Sequence, residues 1–194
     1  MNDRTSELLD AACRVIARGG ASRLRMSDVA REAGVSTALV HYYFATRQEL
    51  LRNAFAFSEQ RWQAAIAAEL ATVSTGAARV ERMLLVSVDP ALAFSEQRAL
   101  GNEVWSSLRS DEELRPVVER SYRAWLGRVV DLIEDGKADG SIRADVDAVS
   151  TGWRLAAAAD GFDSLLYLDL VDRDQAVRLM RETIARELDA EPPG

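Results

Sequence analysis

The chain has 194 residues, of which 48% are hydrophobic and four are proline. This length suits one or two domains, and the apolar content supports a folded core and excludes a disordered chain. The formal net charge is −7, yet residues 1–52 carry +2 and the remainder −9. The division favours a polyanionic partner for the amino-terminal part, although a chance fluctuation explains so small an excess about as well.

Cysteine content and hydropathy bound the cellular location. Cys13 is the one cysteine, which excludes an intramolecular disulfide, and Leu9, Ala12 and Ile16 lie around it at helical spacing, which predicts a core position. The amino-terminal decapeptide MNDRTSELLD is polar and predicts no signal peptide. No apolar run approaches the roughly 18 residues of a membrane span, so we expect a cytoplasmic protein.

Apolar residues recur at helical spacing along the chain, and no segment reads convincingly as a strand. Glycines at 19–20, 34, 76 and 140 punctuate the pattern, and the capping box Thr46–Glu49 opens a long helix. The fold class predicted is therefore all-α with nine helices, at about 4–18, 27–33, 37–44, 46–72, 77–88, 94–109, 111–138, 147–167 and 173–188.

The second and third predicted helices form a helix-turn-helix. Gly34 ends the first of them, Ser36 caps the second, and Val40 and Phe44 share its inner face. In this motif the second helix enters the DNA major groove. The outward residues suit that role, since Thr37, Leu39, His41 and Tyr42 offer groups for bases or phosphates, and Arg47 offers a charge at the next helix start.

The stretch AREAGVSTALVHYYFATRQELL, residues 30–51, resembles the signature of the tetracycline-repressor (TetR) family. Arg47 stands where the family usually has lysine, and His41 where tyrosine is frequent. The resemblance implies a TetR-like architecture over the whole chain and DNA contacts at eight positions: Ser27, Ser36, Thr37, Leu39, His41, Tyr42, Tyr43 and Arg47. For Ser36 a purely capping role, and for Tyr43 a purely packing role, are equally good interpretations.

The remainder of the chain resembles, more loosely, the ligand domain of the betaine-regulator branch of that family, over residues 103–147 and 159–189. We therefore expect a DNA-binding domain at 1–50, an effector-binding and dimerisation domain at 51–190, and a disordered tail at 191–194. The resemblance implies a homodimeric repressor that a small molecule releases from its operator.

The eighth predicted helix has features of a dimer contact. Its run Ala156–Ala159 permits close approach of another helix, and its apolar residues exceed what a monomer surface usually carries. An ordinary core helix is the alternative interpretation. The resemblance places the eighth and ninth helices in a four-helix interface, with candidate contacts at Leu155, Ala158, Phe162, Leu165, Leu166, Val177, Met180 and Ile184. Such a dimer would read a palindromic operator.

Aromatic and acidic residues of the fifth to eighth predicted helices form a candidate effector pocket. The set comprises Met83, Phe94, Glu103, Trp105, Tyr122, Trp125, Trp153 and Asp160. Aromatic faces beside carboxylates favour a cationic or amine-bearing ligand. A tryptophan at helical spacing is more often a core residue, so that interpretation stays open.

Other classes of function find little support. The single histidine, His41, lies in the recognition helix, and no nucleophile–base arrangement, glycine-rich phosphate loop or metal-ligand spacing occurs. We therefore predict no enzyme, no cofactor and no metal. A helical scaffold that binds no DNA is the competing hypothesis, and it predicts the absence of salt-sensitive DNA affinity.

Overall fold

The structure is a computed structural model that describes residues 3–88 and 115–188. Within these ranges the chain forms eight α-helices, one 3-10 helix and no strand, which confirms the all-α prediction. The helices are α1 (Asp3–Gly19), α2 (Met26–Glu32), α3 (Thr37–Tyr43), α4 (Arg47–Leu70), α5 (Gly76–Val88), α6 (Arg115–Asp139), α7 (Ala148–Tyr167) and α8 (Arg173–Leu188), and the 3-10 helix is Ala21–Arg23. No helix of these ranges is long and apolar enough to cross a bilayer.

The observed bounds lie close to the predicted ones. The predicted sixth helix, about 94–109, lies outside the described residues, so α6, α7 and α8 correspond to the seventh, eighth and ninth predictions. The recognition helix ends at Tyr43 rather than Phe44, because Phe44 has the extended backbone of a C-cap residue (φ −135°, ψ 110°). The 3-10 helix replaces a stretch that the sequence presented only as a connection.

The described chain divides into two compact units, with the divisions falling inside α4 and α6. The first unit comprises residues 3–65 and 115–121, and the second comprises 66–88 and 122–188. In the first unit, one core joins α1, α2, α3 and the beginning of α4. Cys13 belongs to it as predicted, and Val118 of α6 also lies in this core. A fully buried Leu or Ile side chain contributes about 1.5–3 kcal/mol, so this packing sets the stability of the unit.

Side-chain caps fix the starts of the short helices in the first unit. Ser36 Oγ accepts a hydrogen bond from the Leu39 N–H at 3.2 Å and begins α3. Thr46 Oγ1 accepts from the Glu49 N–H at 3.1 Å, and the Glu49 carboxylate accepts from the Ala45 N–H at 2.8 Å. The predicted capping box therefore forms, with its return bond placed one residue before the cap.

In the second unit α5, α7 and α8 pack against one another. The end of α6 also caps the start of α5: Asp139 Oδ2 accepts from the Gly76 N–H at 2.7 Å, and Ser141 Oγ accepts from the Ala77 N–H at 3.0 Å. The Ser141 hydroxyl, the Gly76 N–H and the Ser141 N–H together hold the pKa of Asp139 below its usual value.

Candidate DNA-binding surface and effector site

Two buried side chains orient the recognition helix α3. Val40 is fully buried and Phe44 nearly so, and both enter the core shared with α1, α2 and α4. Gly34, at φ +68°, makes the turn from α2, and the Val35 N–H closes it on the Ala30 carbonyl at 2.9 Å. The opposite side of α3 is consequently free to meet a partner.

Apart from the cap residue Ser36, four of the eight predicted DNA-contact residues are exposed: Ser27, Thr37, His41 and Tyr42. The Tyr42 side chain is 82% exposed, an uncommon state for so large an aromatic residue. Its ring meets that of Tyr43 edge-on, with 5.3 Å between centroids. Tyr43 is half-buried against the core, so packing accounts for part of its role.

The remaining members of the set differ in their surroundings. Ser36 is exposed but its hydroxyl serves as the α3 cap, and Leu39 is half-buried. Arg47 turns inward: its Nε donates to the Leu24 carbonyl at 3.0 Å and its Nη2 donates to the Ala21 carbonyl. Sequence reasoning missed these two bonds because their acceptors lie 23 and 26 residues upstream.

An ion-pair network connects three helices of the first unit. Asp10 of α1 pairs with Arg14 and with Arg61 of α4, and Glu32 of α2 pairs with Arg14 at 2.7 Å and with Arg18. The hydrogen bond from Arg14, followed by that from Arg18, lowers the pKa of Glu32. The helix that precedes the turn is thus tied to α1 and, through Asp10, to α4.

Three of the predicted effector residues lie together in the second unit. The Tyr122 hydroxyl of α6 donates to Asp160 Oδ2 of α7 at 2.6 Å, and the Trp125 ring lies 5.5 Å from the Tyr122 ring between centroids. Asp160 as a whole residue is exposed, but the burial of its carboxylate raises its pKa. The hydrogen bond from Tyr122 lowers this pKa, and the negative charge of Asp163 raises it. Burial and then the Asp160 carboxylate raise the pKa of Tyr122, so the phenol keeps its proton.

The other predicted effector residues lie elsewhere or outside the described ranges. Met83 is fully buried in α5, and Trp153 of α7 is 50% exposed. Phe94, Glu103 and Trp105 lie outside the described residues. An open groove of about 840 Å³ in the same unit, lined by α5 and α8 residues such as Glu81, contains none of the predicted set.

The predicted dimer residues divide by burial. Leu155, Met180 and Ile184 are buried within the chain's own core, which corrects the expectation that they are available at the surface. The partly exposed members are Ala158, Phe162, Leu165, Leu166 and Val177. Helical periodicity explains this division. Each of α7 and α8 packs one face against the other and against α5, so residues on that face are buried and residues on the remaining faces are partly exposed.

Exposed apolar side chains that the sequence-based set did not include lie near the start of α7, at its end and in the turn after it. They are Val149 (57% exposed), Tyr167 (77%), Leu168 (61%) and Leu170 (66%). For the last three, the apolar run LYLDLV, residues 166–171, was the available signal, because it continues past the end of α7.

Two family models match the chain. Residues 8–54 match bacterial regulatory proteins of the tetR family, and residues 76–189 match the carboxyl-terminal domain of BetI-type transcriptional repressors. The first match contains the whole helix-turn-helix. The second covers more than half of the chain and all of α5–α8.

Curated relatives carry the same description. The HTH-type transcriptional regulator BetI of Agrobacterium fabrum is 54% identical over 48 residues, which are 25% of this chain and 23% of that protein. BetI of Rhizobium meliloti is 32% identical over 112 residues, 58% of this chain and 55% of that protein. BetI of Brucella suis is 25% identical over 191 residues, 97% of this chain and 93% of that protein.

Solved structures share the fold. A TetR-family regulator of Rhodococcus sp. is 26% identical with a TM-score of 0.82, covering 96% of this chain and all of that one. A regulator of Saccharomonospora viridis, solved in complex with choline, is 23% identical with a TM-score of 0.86, covering 98% of this chain and all of that one. With the helix-turn-helix and the matched carboxyl-terminal domain, these findings show that the chain belongs to the TetR family of bacterial transcriptional regulators, in its BetI-type branch, a family of DNA-binding regulators and not of enzymes.

Proposed function

We propose that this protein is a homodimeric repressor that binds a palindromic operator and leaves it when a cationic small molecule binds. The observation that carries the proposal is the exposed face of α3, where Thr37, His41 and Tyr42 project from a helix held by Val40 and Phe44. In this proposal residues 1–50 bind DNA, and residues 51–190 bind the effector and the second chain.

Exposed apolar residues of α7 and its following turn support the dimer. Val149, Trp153 and Tyr167 of α7, and Leu168 directly after it, are 50–77% exposed, which is more exposed apolar surface than soluble monomers usually carry. A twofold partner would place two α3 helices at half-sites about 34–36 Å apart, or at a multiple of that distance.

The Tyr122–Asp160 pair and the adjacent Trp125 ring support a cationic effector. Aromatic faces attract a quaternary ammonium or amine, and the carboxylate supplies the opposite charge. The choline complex of the similarly folded Saccharomonospora viridis protein agrees with this chemistry. Release follows if the ligand binds the DNA-free arrangement more tightly, because it then lowers operator affinity by that differential affinity.

DNA binding is tested by fluorescence anisotropy with the DNA upstream of the protein's own gene, repeated as salt is raised. We expect salt-sensitive binding that weakens in His41→Ala and Tyr42→Ala and stays unchanged in the control Gln60→Ala, an exposed α4 residue. Affinity that is absent at every salt concentration would favour the DNA-free scaffold and refute the proposal.

Effector chemistry is tested by calorimetry with choline, primary amines and neutral or anionic compounds of similar size. We expect binding by the cations, weakened about tenfold or more in Asp160→Asn because a charge pair at about 5 Å is worth roughly 1–3 kcal/mol in a partly solvated site. The exposed Asp131→Asn on α6 is the matched control. Binding confined to neutral or anionic compounds would refute a cationic effector and leave the DNA result standing.

A further inference from the structure

The amino-terminal arginines differ in whether their side chains already have an ion-pair or hydrogen-bond partner within the chain. Residues 1–52 contain eight arginines, and six have partners within the chain: Arg4 with Glu7, Arg14 with Asp10 and Glu32, Arg18 with Glu32, Arg31 with Asp28, Arg47 with two backbone carbonyls, and Arg52, which is also engaged. Within the described part of this region, Arg23 and Arg25 are the two for which the structure shows no partner. Both are exposed.

The backbone that carries Arg23 and Arg25 is held in place by Arg47. The guanidinium at the start of α4 donates to the carbonyls of Ala21 and Leu24, on either side of Arg23. The Ala21 and Leu24 side chains are buried, at 0% and 1% exposure. This short segment is therefore anchored from both its main chain and its side chains.

The residue that follows this anchored segment is equally constrained. Arg25 has an extended backbone and caps α2 with its carbonyl, which accepts from the Asp28 N–H at 3.1 Å and the Val29 N–H at 3.2 Å. Its side chain therefore projects from a fixed main chain two residues before Ser27. Two unneutralised charges on a rigid support suit phosphate groups at fixed spacing, and ordering them costs little backbone entropy.

We propose that Arg23 and Arg25 bind backbone phosphates of the operator, and that Arg47 is a positioning residue that presents them and binds no phosphate itself. The inference depends on the proposed DNA binding. It reassigns Arg47, whose place at a helix start had suggested a direct phosphate contact, because two of its donors are already used by Leu24 and Ala21. A guanidinium has the fork geometry that bridges two carbonyls, whereas an ammonium does not.

The phosphate contacts are tested by the salt dependence of operator binding. Each phosphate contact contributes about 0.9 to the slope of log affinity against log salt concentration. We expect Arg23→Gln and Arg25→Gln each to make this negative slope less steep by about 0.9, and the double variant by about 1.8. The control Arg128→Gln, at an exposed α6 residue, should leave the slope unchanged. Unchanged slopes in variants that bind the operator would overturn the inference, whereas a wild-type protein that binds no DNA would overturn the proposed function as well.

The positioning role is tested by substituting Arg47 in two backgrounds. In the otherwise unchanged protein, we expect Arg47→Lys and Arg47→Gln to weaken operator binding to the same extent. In the Arg23→Gln/Arg25→Gln background, we expect neither substitution to make the salt slope any less steep. Circular dichroism melts check that each variant is folded. If Arg47→Gln does not fold, Arg47→Lys alone provides the test. Full rescue by lysine, or an additional slope loss of about 0.9 for Arg47→Gln in the double background, would show that Arg47 binds phosphate itself.

Discussion

The main chains of α5 and α6 touch at Gly76, and this contact makes a sharp prediction for Gly76→Ala. A Cβ atom there would overlap the Cα and N atoms of Gly136 and come within 2.9 Å of the Asp135 carbonyl carbon. These neighbours are backbone atoms, so no change of rotamer relieves the overlap. The helices must separate, and the cap bond from the Gly76 N–H to Asp139 is lost with the contact.

The size of the effect follows from these two losses. Overpacking a tight contact costs about 1–3 kcal/mol, and the loss of a helix cap adds about 1 kcal/mol. We expect the free energy of unfolding to fall by about 3 kcal/mol. For a domain of 150–250 residues that corresponds to a melting temperature about 6–12 °C lower.

Thermal unfolding followed by circular dichroism measures the difference, with Gly127→Ala as the matched control. Gly127 lies within α6, and a Cβ there meets no atom within 4 Å, so alanine stabilises the helix by about 0.5–1 kcal/mol. The two glycine-to-alanine changes should therefore shift the melting temperature in opposite directions. A Gly76→Ala melting temperature within 2 °C of wild type would refute the reasoning about this contact.

Three further changes test individual interactions. The folded state lowers the pKa of Asp139, so this carboxylate contributes to stability fully above the unfolded pKa of about 3.9, and the contribution disappears as pH falls through the lower folded pKa. Asp139→Asn should therefore be less stable than wild type at pH 7. Urea titrations should show this difference in unfolding free energy becoming smaller toward pH 3. Burial raises the pKa of Glu59, which shares a hydrogen bond with Ser121, so the folded state disfavours its charged form; Glu59→Gln should be more stable at pH 7, with the gain vanishing below about pH 4, and a variant less stable at pH 7 would contradict this assignment. Asp169 has φ +54° after α7, so Asp169→Gly should raise the unfolding free energy by about 0.5–1 kcal/mol while Asp169→Ala lowers it, and equal melting temperatures for the two would contradict strain at this position.

The helix-turn-helix and its caps could be predicted because their determinants are local. Ser36, Thr46 and Glu49 act within one helical turn, and Val40 with Phe44 repeats at helical spacing, so a short stretch contains each signal. Asp147 likewise acts within one helical turn, because its carboxylate accepts from the N–H groups of Val149 and Ser150, the second and third residues of α7.

Other features depend on partners far along the chain, which sequence periodicity does not reveal. Arg47 meets Leu24, Glu59 meets Ser121 over a separation of 62 residues, and Tyr122 meets Asp160 over 38. For the same reason periodicity marked Leu155 as apolar without showing that its own chain buries it completely. It identifies an apolar face but not which neighbour covers that face.

Selection of bound DNA from a random pool tests the central claim, that this chain is a dimeric operator-binding regulator, most directly. We expect enrichment of a palindromic sequence whose half-site centres lie about 10–10.5 base pairs apart or a multiple of that spacing, with two chains bound per palindrome. Enrichment of a non-palindromic site bound by one chain, or no enrichment at all, would contradict it.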